Sequence, residues 1–423
     1  MTGGNSLRPA ERFVRVMDFA CRKIPSAKDL NRVKTEYPCC RPLMAKEEQR
    51  LIYLDYSANT PVDPEVLSVF SHTESSFIGN PNSSHRAGEA ALAKLAEVTD
   101  STARMLRALP SEIIYTSGAS EANNFAVKGI ARTQRNYGKH IISTALEHPS
   151  VSGPLTWLGE QGYEIDLVRI GRDGKIDLAN LRELMREDTI LVAVTAVDSE
   201  LGTIQPVREV SEIVRQCKNC RLHVDATQAV GKIPFSFEGM DTASLAAHKF
   251  YGLNGSGLLI KREELVPEPL IHGGTGANLY RSGTPTLGLA AALETALRKS
   301  VLSLQERHTY VKKLNERLRK ELSLYPSVVI NSPKDAVPHI LNISVTGVKG
   351  GKMQQMLSEK GVCISVKSAC STDGTPSRAV YAVSHDRKNA LSSWRISLSH
   401  LTTDDEITGF LKAFDLCLEE LTA

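Results

Sequence analysis

From residue 51 to residue 261, short apolar runs alternate with segments of helical spacing, and this alternation restricts the fold more than any other feature. The runs are Leu51–Asp55, Glu112–Thr116, His140–Thr144, Thr189–Ala196, Arg221–Asp225, Ala243–Ala246 and Gly257–Lys261. Between most of them lie stretches such as Ala87–Leu106 and Val207–Arg215, whose apolar residues recur every three or four positions. Strands joined through helices run parallel, because each helix returns the chain to the starting edge, and the sheet is then covered on both faces. After residue 300 the style changes. A long amphipathic helix runs through Val311, Leu314, Leu318 and Leu322, followed by short strands around Ile340–Val345 and Trp394–Leu398. The last helix opens with a capping box, Thr403-Asp404-Asp405-Glu406, and continues through Ile407, Phe410, Leu411, Phe414, Leu418 and Leu421. The expectation is an α/β fold: a large domain with a mainly parallel sheet over 64–300, and a smaller α+β domain built from 51–63 together with 301–423.

Residues 1–44 differ from the rest. They carry nine Lys/Arg against four acids, a charge of +5, which leaves −2 for the remainder of a chain whose total is +3. A transit peptide is poor in acids, so these four argue for a dispensable extension over a targeting segment, with Met44 as a candidate start. The near-neutral total gives no footing for a nucleic-acid partner, and no apolar run reaches the roughly 18 residues of a membrane span. Eight cysteines without regular spacing and no signal peptide point to free thiols in a reducing compartment, so a cytoplasmic location is expected. Cys217-Lys218-Asn219-Cys220 has metal-type spacing but no second pair, and reads as a helix end before a strand.

Ligands gather at the carboxyl ends of parallel strands. Four such ends carry chemistry here. In Thr116-Ser117-Gly118-Ala119-Ser120-Glu121 a strand breaks at glycine and a helix begins, so free N–H groups and the positive helix end suit a phosphate. Leu146-Glu147-His148 places a histidine after a strand, and His223-Val224-Asp225-Ala226-Thr227-Gln228 places a carboxylate at a strand's edge. Ala247-His248-Lys249-Phe250-Tyr251-Gly252 follows another apolar run with a lysine. Singly, each has an ordinary structural explanation. Together they supply what pyridoxal phosphate requires: a lysine for the Schiff base, a carboxylate for the pyridine nitrogen, a ring-stacking group and a phosphate cradle. A fifth feature, Ser368-Ala369-Cys370-Ser371-Thr372-Asp373-Gly374-Thr375-Pro376-Ser377, holds one thiol in a polar stretch with Gly and Pro, the setting of an exposed cysteine on a mobile loop.

These motifs, with Asp55-Tyr56-Ser57-Ala58-Asn59-Thr60-Pro61 and Arg281-Ser282-Gly283-Thr284, follow in an order that resembles the cysteine desulfurases of the NifS/IscS type, members of the class V aminotransferases. The resemblance runs from about residue 51 to the C-terminus and implies a pyridoxal-phosphate-dependent transferase of fold type I, a homodimer with shared active sites. It assigns the cofactor linkage to Lys249, the pyridine nitrogen to Asp225, ring stacking to His148 and the phenolic oxygen to Gln228. Ala119, Ser120 and His248 would line the phosphate, with the Thr284 hydroxyl arriving from the neighbouring subunit. Arg395 matches the arginine that forks onto the α-carboxylate of L-cysteine. Cys370 would take the sulfur as a persulfide and pass it to an acceptor protein for iron–sulfur clusters or thiolation, while alanine leaves.

Several positions depart from that pattern. Ser199 stands where asparagine is usual and Ala246 where a phosphate-binding serine is common, the latter removing a hydrogen bond worth about 1 kcal/mol. Gly276-Ala277-Asn278 replaces a His-Glu-Arg run, Lys367 a glycine before Cys370, and Ser399-His400 a Gly-Arg pair. The rival readings are a selenocysteine lyase, which needs no enzyme thiol, a transaminase of the same class, and a cofactor-free sulfur-relay scaffold.

Overall fold

The computed structural model describes residues 51–274, 279–367 and 375–422. The extension at 1–44, the replacement at 276–278 and Cys370 lie outside the described residues.

Strand β1 (Ile52–Tyr53) precedes helices α1 (Pro64–Ser76) and α2 (Arg86–Leu106). Strands and helices then alternate: β2 (Ile113–Thr116), α3 (Ala119–Gln134), β3 (His140–Ser143), α4 (Pro149–Glu160), β4 (Glu164–Leu167), α5 (Leu178–Leu184), β5 (Thr189–Thr195), α6 (Val207–Val214) and β6 (Arg221–Asp225). β7 (Thr242–Ala246) and β8 (Gly257–Lys261) close this part, and α7 (Leu287–Leu302) and α8 (Leu304–Leu322) follow. The remainder comprises β9 (Val328–Ile330), β10 (Ile340–Val345), α9 (Gly350–Glu359), β11 (Val362–Cys363), α10 (Arg378–Ser384), α11 (Arg387–Ser392), β12 (Ser393–Ser397) and α12 (Asp404–Thr422).

The large sheet has the order β2-β8-β7-β6-β5-β3-β4. Only β8 runs against its neighbours. The other six strands therefore end at one edge, which is the condition for their terminal side chains to meet. Every residue of β5, Thr-Ile-Leu-Val-Ala-Val-Thr, is buried, as a central strand covered on both faces requires. β4, Glu-Ile-Asp-Leu, is an additional strand not anticipated from the apolar runs. It lies at the sheet's edge with exposed ends, so half of its residues need not be apolar. The expected strands at 51–55 and 394–398 are shifted or trimmed to Ile52–Tyr53 and Ser393–Ser397. Cys217 and Cys220 are free thiols in the turn between α6 and β6, where the Cys220 N–H donates to the Cys217 carbonyl at 3.1 Å.

The second sheet, β12-β10-β9, is antiparallel and has its own core with α8, α9 and α12. The capping box of α12 is closed: the Thr403 N–H donates to Glu406 Oε2 at 2.8 Å and the Glu406 N–H to Thr403 Oγ1 at 3.2 Å. Phe410 anchors this core. It is fully buried, stacks on Phe414 at a centroid distance of 6.0 Å and meets Trp394 edge-on at 6.2 Å. Phe410→Ala is expected to cost about 3–5 kcal/mol, because the rigid neighbours cannot collapse into the space, and urea denaturation would measure the loss. Among the described residues, no helix is long and apolar enough to cross a membrane.

Candidate active site

The shared strand edge opens on a cavity of about 280 Å³. Ala119, Ser120, His148, Asp225, Gln228, His248, Lys249 and Arg395 all line it, so eight side chains proposed from sequence are brought together. Thr284 is not among them. Its hydroxyl accepts from Asn80 Nδ2 at 3.5 Å on the surface, while its neighbour Arg281 pairs with Glu121 in the first turn of α3 at 3.1 Å.

Local structure explains each placement. At Gly118 the backbone turns with φ 142°, a conformation open to glycine, and α3 starts at the next residue with its free N–H groups at the cavity. A Cβ on Gly257 would stand 2.6 Å from the Gly118 Cα, so β8 approaches this turn only without a side chain. His148 caps α4, with Pro149 in the first helical position; its Nδ1 accepts from the Ser150 N–H at 3.2 Å. Lys249 stands in the turn after β7. Its Nζ donates to the Ser57 and Ala58 carbonyls at 2.8 and 2.6 Å, which ties the lysine to the segment that follows β1.

A buried network joins Asp225 to His148. Asn123, on α3, donates through Nδ2 to Asp225 Oδ2 and to Ser150 Oγ, each at 2.8 Å. Its Oδ1 accepts from His223 Nε2 at 2.9 Å and from the Ser244 hydroxyl. Ser150 Oγ, already accepting, turns its own proton to His148 Nδ1 at 2.8 Å. The imidazole is thus held as the tautomer with the proton on Nε2. Burial pushes the His148 pKa down, against the attraction of Asp225, so the ring is neutral. Asp225 Oδ1 accepts from the Thr227 N–H at 2.9 Å, so both of its oxygens carry a donor. Asn123 and Ser150 were not singled out from sequence; the one available signal was polar residues facing inward at the start of α3 and α4.

Arg395 comes from β12 in the second sheet and is 1% exposed. Its Nη2 binds Asp55 Oδ1 at 2.9 Å, its Nη1 donates to the Ser199 carbonyl at 2.7 Å, and Ser365 Oγ holds the other Asp55 oxygen at 2.7 Å. Arg395 Nε has no hydrogen-bond partner among the described residues. Ser57 Oγ, Thr227 Oγ1 and Gln228 Oε1 on the same cavity are likewise buried without one. Lys232 lies behind Lys249. Its buried ammonium donates to the Lys249 carbonyl at 3.3 Å, and burial with the Lys249 and Arg395 charges pushes its pKa down to about 7.

Buried polar groups without partners are costly unless a ligand answers them. Here they surround a lysine, a carboxylate with two donors, a neutral imidazole and a helix N-terminus. That set fits pyridoxal phosphate, with Lys249 to take the linkage, Asp225 the ring nitrogen, and Ala119, Ser120 and His248 the phosphate; Gln228 lines the same cavity but gives its Nε2 to the Ser57 carbonyl at 2.9 Å.

A mainly parallel sheet with a lysine and a carboxylate at its carboxyl edge defines a fold-type I α/β enzyme. The aminotransferase class-V family model matches residues 52–410, and the chain belongs to that family. It is similar to the cysteine desulfurase IscS of Dictyoglomus turgidum, 33% identical over 378 residues that span 88% of this chain and 96% of the relative. Among solved structures it is similar to a NifS-like protein at TM-score 0.82 and 34% identity, over 87% of this chain and 99% of that one. A structure described as SspA in complex with cysteine matches at TM-score 0.73 and 30% identity, over 83% and 99% of the two chains.

Proposed function

We propose that this protein is a pyridoxal-phosphate-dependent cysteine desulfurase, converting L-cysteine to L-alanine and delivering sulfur to Cys370 as a persulfide. The observation that carries the reading is the convergence on one cavity of Asp225 from β6, Lys249 from the turn after β7, His148 from the cap of α4 and Arg395 from β12 of the second sheet. When bound, pyridoxal phosphate supplies an electron sink for the charge left at the cysteine α-carbon.

The residues of the chain have separate tasks. Lys249 holds the cofactor and then moves the α-proton with its Nζ. Asp225, kept in place by Asn123 and Thr227, holds the proton on the ring nitrogen. The Arg395 guanidinium, at the cavity and held by Asp55 and Ser199, would answer the substrate carboxylate. The Cys370 thiolate forms an S–S bond as the C–S bond of cysteine breaks. The C–S electron pair stays with the carbon skeleton, which is protonated to alanine.

The site is completed in a homodimer by Thr284 of a second copy, a reading supported by its position outside its own cavity. A core drawing on Leu54 and on residues from 311 to 417 supports grouping 51–63 with 301–423 apart from 64–300, although Val337 and Ile340 pack into the larger core. The persulfide then serves an acceptor protein. Purified protein incubated with L-cysteine and a reducing thiol is expected to show a visible lysine-bound cofactor band and to release alanine and sulfide in equal amounts. Absence of the band would sink the reading.

A further inference from the structure

Glu147 precedes the ring-facing histidine, yet its carboxyl points away from the cavity and into the sheet. The side chain is 3% exposed. Its Oε1 accepts from Thr144 Oγ1 at 2.8 Å and from the Thr195 N–H at 2.9 Å. Thr144 Oγ1 in turn accepts from the Leu146 N–H at 3.0 Å. One oxygen therefore latches the turn that carries His148 to the end of β5. Thr195 is the residue paired with Asp225 across β5 and β6, so the latch is fastened one strand from that carboxylate.

The two carboxyls are served unequally. Asp225 has a donor on each oxygen, whereas Glu147 Oε2 is buried with no partner among the described residues. A buried, unanswered carboxylate oxygen is far more costly when charged than when protonated. The surrounding charges act in the same sense. Asp225 faces Glu147 from β6 and Asp198 from the loop after β5, with Glu200 beyond it. On the other side His148 is neutral, and Arg378 of α10 spends its Nη2 on the Glu147 carbonyl at 3.3 Å and on Ser152 Oγ at 3.4 Å; Lys367 lines the adjoining hollow.

We propose that Glu147 is a positioning residue that works as a neutral acid: its Oε1 fastens the His148 turn to β5, and its proton leaves the negative charge of the pair on Asp225. Burial, with Asp225 and Asp198 adding to it, outweighs the Thr144 and Thr195 hydrogen bonds, which favour the charged form, and pushes the Glu147 pKa up to about 8, in keeping with that role. The inference rests on the cofactor reading above, since it assigns Glu147 a task toward the same site.

The test uses apo-protein titrated with pyridoxal 5'-phosphate, read by the visible band. Glu147→Ala removes the latch and is expected to weaken binding by about tenfold or more, the loss of two hydrogen bonds. Glu147→Gln keeps a neutral acceptor at Oε1 and is expected to restore affinity to within about threefold of wild type. A second readout needs no cofactor. Folded Glu147 keeps its proton up to about 8, while the unfolded chain releases it near the ordinary 4.5, so the folded state binds more protons in between and loses stability as pH rises through that window. Glutamine does not titrate, so the melting temperature of apo wild type should fall relative to Glu147→Gln as pH rises toward 8. Three results would overturn the proposal: Gln as weak as Ala, Ala as strong as wild type, or parallel melting curves for wild type and Gln. A wild type that forms no band at all would instead sink the cofactor reading, and this inference with it.

Discussion

Lys249→Ala is expected to abolish the visible cofactor band and to lower alanine formation from cysteine by about 10⁴-fold, since in the proposed reaction one side chain provides both the covalent linkage and the proton transfer. The fold should survive. Lys249 is only partly buried, and its Nζ bonds go to the Ser57 and Ala58 carbonyls, which water can satisfy once the amine is removed. Lys249→Arg is the informative control. It retains a cation for the two carbonyls but cannot form the linkage, so the band should still be lost. A melting temperature close to wild type with no band assigns the loss to chemistry. A retained band in either variant would remove Lys249 from its role.

Cys370→Ala should separate the two halves of the reaction. The band is expected to remain and to respond to added cysteine, because Lys249, Asp225 and Arg395 are untouched, while persulfide formation stops and sulfide release falls by roughly 10³-fold. Mass spectrometry of the cysteine-treated wild type should find one additional sulfur on the peptide containing Cys370, absent from the variant. The flanks of that segment are joined: Lys367 Nζ donates to Thr375 Oγ1 at 2.8 Å. Lys367 stands where the family pattern has glycine, so this chain closes the base of its cysteine segment with a side chain. Undiminished sulfide release from Cys370→Ala would transfer the sulfur step to another group and favour the lyase-type chemistry that needs no thiol.

Much of the fold was legible because the signals are local. β6 and β8 have the bounds read from their apolar runs, and the capping box of α12 closes as its spacing implies. β4 was not legible. An edge strand need not be apolar, and two of the four residues of Glu-Ile-Asp-Leu are acids. At the site, Asp225 and Lys249 could be found because one ends a buried strand and the other closely follows one, where polar residues are otherwise unexpected. Glu147 and Asn123 could not. An acid beside a histidine, or an asparagine in a helix, looks the same in sequence whether it faces water or latches a neighbouring strand.

The cavity's position and its lysine, carboxylate and helix terminus were thus determined by sequence alone, since strand ends on a parallel sheet share one edge whatever the details of packing. Only the tertiary structure decided how those groups are held. Arg395 meets Asp55 across 340 residues, Asn123 meets Asp225 across 102, and Glu147 meets Thr195 across 48. Such contacts arise when sheet and helix faces close over one another. They fix the placement of the Glu147 carboxyl, a tautomer on His148 and an orientation on Arg395, and none of these follows from neighbours along the chain.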